Sequence, residues 1–225
     1  MTYANLAYTG DTYSSSGPHS GTVSQNIQKS EIVTKAKGEM LTENTPMTMT
    51  GDVYDAAGQK TNVTEFTVPI HSVQYSIKIN EDGKANVGSA ALTDELSVSG
   101  TISDQFSFTG YAALKVYDGR QDPGKEAMGT IWFKLPDDQQ SFQFDLSKYK
   151  ASVDEIKGAH TPEHALSYEL IYYVRAKDGA DNLMLTNELN GSVGVGIGDS
   201  VVPVEQHIHV SHLIVTSEEL SAVKR

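Results

Sequence analysis

The chain has 225 residues, 38% hydrophobic and 20% charged, with no Cys. That length suits one large or two small domains with a core that needs no staple, and the missing Cys excludes disulfides, a thiol nucleophile and thiolate metal sites. With 29 Asp and Glu against 17 Lys and Arg, the net charge of −12 argues against nucleic acid and anionic membrane as partners; no apolar run reaches the length of a membrane span.

The first residues, Met1 to Tyr8, carry no basic stretch and no apolar stretch, so no signal peptide is visible. Residues 1–60 read as a polar N-terminal arm with short edge elements. Ser14-Ser15-Ser16-Gly17-Pro18 is loop chemistry. Tyr3, Tyr8 and Tyr13 are candidate anchors for docking this arm on a neighbouring subunit, because Tyr gives a large contact area at low entropic cost; a loose tail is the plainer reading. Ile32-Val33, Met40-Leu41, and Met47, Met49 and Val53 are the short edge elements.

Residues 61–225 read as a β-sandwich domain. Phe66, Val68 and Ile70 alternate around Pro69, which marks an edge or a bend. Val73, Tyr75, Ile77 and Ile79 alternate with polar residues, as in a half-buried antiparallel strand. Glu81-Asp82-Gly83-Lys84 reads as a hairpin turn. From Leu96 to Val116 one apolar parity persists, cut by Gly100 and Gly110 into two or three strands. Ile131, Phe133 and Leu135 give the next strand, and Phe142, Phe144 and Leu146 another. Tyr149, Val153 and Ile156 place a helix over Ser147 to Lys157, with Ser147 as cap and Gly158 past the end.

Leu166 to Ala176 is the strongest strand. Leu166, Tyr168, Leu170, Tyr172, Val174 and Ala176 share one face, and neither Gly nor Pro interrupts, which predicts a central position. Asn190-Gly191 reads as a hairpin turn. Val193, Val195 and Ile197 follow, with glycines on the other face that admit a close neighbour. Val202 to Ile214 is the last long strand. Strands about every ten residues, without βαβ units, predict an all-β, antiparallel β-sandwich of Ig-like or jelly-roll type, with one short helix and an extended N-terminal arm. Tyr168 to Asn182 resembles the penultimate strand and following turn of fibronectin type III-like modules. The resemblance covers this stretch alone and implies architecture, not function.

Four groups invite chemistry. His207 and His209 share a strand face with Glu205, and such a pair can converge on a metal. It resembles the His-x-His pairs at the tips of phage tail spikes and fibres, where three chains supply six imidazoles to one iron. It also resembles a cupin pair, but the next acid is Glu218, too distant for the cupin pattern. His160, Glu163 and His164 match a metallopeptidase spacing interrupted by Pro162. Asp178, Asp181 and Asn182 cluster in one turn, where turn chemistry competes with Ca²⁺ binding. Trp132, the single Trp, lies opposite in parity to Ile131 and Phe133; it is either sheet packing or a platform for a glycan or protein ligand.

No nucleophile has a recognisable base partner, no cofactor motif is present, and none is expected. The expectation is a non-enzymatic structural or assembly subunit of an extracellular filament, virion or coat, polymerising with itself. A secreted glycan- or membrane-binding protein or toxin is the first alternative. A metal-dependent, cupin-like enzyme using His207 and His209 is the second.

Overall fold

The computed structural model describes residues 31–178, 180, 182–197 and 199–215. Its strands, in chain order, are β1 (Val33–Leu41), β2 (Thr45–Thr48), β3 (Asp52–Tyr54), β4 (Glu65–Val68), β5 (Ser72–Ile79), β6 (Asn86–Val98), β7 (Thr101–Ile102), β8 (Phe106–Asp118), β9 (Gly129–Lys134), β10 (Ser141–Asp145), β11 (Leu166–Ala176), β12 (Met184–Ile197) and β13 (Ser200–Leu213). A large sheet runs β1-β5-β11-β8-β9-β3, and a smaller one runs β10-β6-β12-β13, with β7 beside β6. The two pack face to face as an all-β sandwich. Pairing is antiparallel except between β3 and β9, which are parallel.

Alternation builds the core. Tyr75, Ile77 and Ile79 of β5, Leu170, Tyr172 and Val174 of β11, and Phe106, Phe108 and Leu114 of β8 point inward from the large sheet. They meet Ala90, Leu92 and Leu96 of β6 and Leu185, Leu189 and Val193 of β12. The strand over Leu166–Ala176 has the span that the sequence predicts, and β5 and β8 flank it on both sides. A second, small core lies outside the large sheet, where the β2–β4 ribbon covers Met49, Val53, Ala113 and Trp132.

Four expectations need correction. β1 and β3 form the two edges of the large sheet, and Val33 is buried, so the sandwich starts by Val33 rather than at residue 61. Glu81 to Lys84 is a corner between sheets, not a hairpin: β5 belongs to the large sheet and β6 to the small one. Buried Asn80, at φ 57°, shapes that corner. Its amide nitrogen donates to the Ala85 carbonyl at 2.7 Å, and its oxygen accepts from the Ala85 N–H at 2.9 Å.

Asn190-Gly191 makes no turn; β12 passes straight through it. Gly191 is required there by close approach, since at its φ of 138° a Cβ would sit 2.1 Å from the Ala91 carbonyl oxygen of β6. The helix is also shifted. A 3₁₀ turn over Leu146–Tyr149 leads into α1 (Lys150–His160), Asp145 rather than Ser147 supplies the cap, and Gly158 lies inside. Thr161, left-handed at φ 45°, ends α1 directly before Pro162.

Candidate functional site

The polar residues that break the core alternation meet at one place. Lys35 lies on β1 two residues after Val33. Asp94 sits between Leu92 and Leu96 on the inner face of β6. Asn187 sits between Leu185 and Leu189 on the inner face of β12, and Tyr172 is inward on β11. The strands are thus two from each sheet, and the side chains close the gap between them.

Lys35 Nζ is 2.8 Å from Asp94 Oδ2 and 2.8 Å from Asn187 Oδ1, and it donates a third bond to the Asn187 carbonyl oxygen at 3.2 Å. The Tyr172 hydroxyl donates to Asp94 Oδ2 at 2.6 Å and accepts from Asn187 Nδ2 at 3.1 Å. The Lys35 side chain is wholly buried and that of Asp94 is 1% exposed. Aromatic rings wall the cluster: Tyr75 stacks on Tyr172 with centroids 5.7 Å apart, and Phe142 meets Tyr172 edge-on at 5.3 Å.

Burial dominates the electrostatics. It pushes the Lys35 ammonium pKa down, against the pull of Asp94, and pushes the Asp94 carboxyl up, against Lys35. Both directions favour a neutral amine beside a neutral acid. Asp94 Oδ1 is buried with no hydrogen-bond partner, which penalises a carboxylate more than a carboxylic acid. Burial, then the neighbouring Asp94, holds the Tyr172 phenol well above its ordinary value. The site therefore gathers an amine, an acid and an amide carbonyl in a dry space.

The residues singled out from sequence lie elsewhere. Tyr3, Tyr8 and Tyr13 lie outside the described residues. His207 and His209 sit on the outer face of β13, exposed, with ring centroids 6.5 Å apart. His207 Nδ1 lies 2.6 Å from Asn190 Oδ1 and 3.5 Å from Glu188 Oε1. Among the described residues no three His, Asp or Glu side chains converge as a metal-ligand set. Trp132 is 8% exposed beneath Phe66, and its indole N–H donates to the Thr50 carbonyl at 3.3 Å. Its ring is covered within the chain instead of being presented to a ligand. His160 ends α1 and His164 turns to Asp118 at 3.2 Å, so the two do not share a helix face. Of the acidic turn, Asp181 lies outside the described residues. His212, on the inward side of β13, tilts against the Tyr75 ring.

No family model matches this chain, and no curated protein matches it. Among solved structures, it is similar to the collagen-binding subdomain of the Enterococcus faecalis surface protein ACE, at 9% identity and a TM-score of 0.36, over 72% of this chain and 94% of that one. It is similar to a collagen-binding domain from a Staphylococcus aureus adhesin, at 8% identity and 0.34, over 63% and 87%. It is also similar to BcpA, the major pilin subunit of Bacillus cereus, at 13% identity and 0.31, over 78% of this chain and 41% of that one. The fold assignment rests on the strand order and register described above.

Proposed function

We propose that the chain is a non-enzymatic structural subunit of an extracellular filament, virion or coat, assembling with copies of itself. The observation that carries this reading is β13. It is a 14-residue strand at the end of the small sheet, and its alternate residues face solvent. Val201 on β13 is 61% exposed, and so are Ile197 before it and Leu213 at its end, at 64% and 49%. A long edge strand with apolar exposed ends offers its backbone to another strand, and monomeric proteins usually blunt such edges. Tyr3, Tyr8 and Tyr13 would add docking contacts from the N-terminal arm.

Light scattering on the sized protein, with electron microscopy of concentrated samples, tests the proposal. Oligomers or filaments are expected, and V201K/L213K should return them to monomers without loss of strand signal. A wild-type chain that stays monomeric at high concentration, with its arm intact, rules the proposal out.

A further inference from the structure

We propose that Lys35 and Asn187 join covalently, through an amide bond between Lys35 Nζ and Asn187 Cγ, in a reaction that the fold itself promotes. The inference does not depend on self-assembly and stands on the geometry of the buried cluster. Nζ lies at hydrogen-bond distance from the carbonyl oxygen of one side-chain amide and from one carboxyl oxygen. All three groups are held by strands whose registers leave them little freedom. Such fixed juxtaposition turns an improbable encounter into an effectively unimolecular step.

The bookkeeping closes without any outside reactant. One proton passes from the Lys35 ammonium to Asp94, leaving a neutral amine whose lone pair attacks Asn187 Cγ. The Nζ–Cγ bond forms, and the carbonyl oxygen carries the developing negative charge. The tetrahedral centre then collapses, the Cγ–Nδ2 bond breaks, and Nδ2 leaves as ammonia. Nζ gives up a second proton as the amide forms. Of the two protons Asp94 receives from Nζ, it passes one to the departing nitrogen and keeps the other, so it starts as a carboxylate and ends as the neutral acid. The return path is visible: the Tyr172 hydroxyl touches both Asp94 Oδ2 and Asn187 Nδ2. Tyr172 is therefore a proton relay between the acid and the leaving group, in addition to packing the core. The surrounding Tyr75, Phe108 and Phe142 rings keep bulk water from hydrolysing the intermediate.

Two lines of the molecule single this amide out. Asn190, three residues on and followed by Gly191, is half-buried and hydrogen-bonds through its side chain to Glu188 and His207, neither of them a lysine. Lys35, by contrast, has the Asn187 side chain and backbone as acceptors besides Asp94.

Intact-mass measurement of the folded, full-length chain tests the proposal. The expected mass is lower than the sequence mass by one ammonia, and digestion should yield a branched peptide joining the Lys35 and Asn187 segments. D94N should carry the full sequence mass, and Y172F should accumulate as a mixture of joined and unjoined chains. A wild-type chain of full sequence mass overturns the cross-link. So does an ammonia loss that maps to a cyclised Asn190-Gly191 with no branched peptide. Complete joining in D94N would overturn the role of Asp94, and complete joining in Y172F that of the relay. These readouts are independent of oligomeric state, so failure here and failure of self-assembly are distinct results.

Discussion

Tyr172 donates its hydroxyl to Asp94 Oδ2 across 2.6 Å, so one hydrogen bond ties the central strand of the large sheet to β6 of the small one. Both side chains are buried. Removing the hydroxyl in Y172F takes from buried Asp94 one of its hydrogen-bond partners. Stranding buried polar groups in this way costs about 1–3 kcal/mol. The denaturation midpoint of Y172F should fall accordingly, and further in the chains that remain unjoined.

Lys35 and Asp94 balance each other in a space neither would occupy alone. K35M removes the amine that faces Asp94 and with it the proposed amide, whose restriction of the unfolded chain is about 5 kcal/mol. It also leaves the buried acid short of a hydrogen-bond partner, which costs about 1–3 kcal/mol. Replacing both, as K35M/D94L, removes the stranded acid and should regain the second part of that loss but not the first. Chemical denaturation of the two variants gives the comparison. A double variant no more stable than K35M would mean that Asp94 imposes no desolvation cost.

Much of the fold was legible because burial here follows period two. β11 could be read end to end: each inward residue is apolar or aromatic, and no glycine or proline intervenes. Turn chemistry was less informative. Asn80 to Lys84 does reverse the chain, but turn residues carry no information about which sheet the next strand joins. Asn190-Gly191 has the composition of a hairpin, yet its glycine answers to the Ala91 carbonyl on β6, a contact 100 residues away. The buried cluster was missed because Lys35 fell within a segment read as an arm. The signal was present even so: Asp94 between Leu92 and Leu96, and Asn187 between Leu185 and Leu189, each place a polar group on an apolar parity. Their convergence is tertiary and no single strand displays it.

His212 gives a pH dependence of known sign. Burial, aided by Lys37, pushes its pKa down to about 4, from about 6.5 in the unfolded chain. Between these values the unfolded chain binds a proton that the folded chain rejects. The His212 contribution is therefore complete above about pH 6.5 and is lost as pH falls toward about 4. H212Q should flatten stability across that window relative to wild type. Parallel stability curves for the two proteins would place His212 in solvent.

Trp132 reports on the outer core because it is the single Trp. Phe66 covers it, with ring centroids 6.0 Å apart, and also packs against Tyr111 at 5.2 Å. F66A removes the lid and should cost about 3–5 kcal/mol if the ribbon cannot collapse onto the gap. Trp132 emission should shift to the red in the folded variant and become accessible to a neutral quencher. Unchanged emission would show that the β2–β4 ribbon closes over the indole without Phe66.

The proposed amide also sets how the chain answers to force. Lys35 and Asn187 are 152 residues apart in sequence. Closing a loop of that size restricts the unfolded chain by about 5 kcal/mol in the entropic description of a cross-link. The mechanical consequence is larger. Tension applied at the two termini enters at β1, crosses the amide to β12 and leaves through β13, so the enclosed strands carry none of it. At about 3.5 Å per extended residue, some 500 Å of contour would be withheld from extension. Single-molecule pulling should therefore give a short extension in the wild-type chain and the full contour in D94N. Full extension of the wild type would mean that β1 and β12 are held by hydrogen bonds and packing alone. A subunit that stays short under load suits a filament, since each copy in series must bear the whole tension.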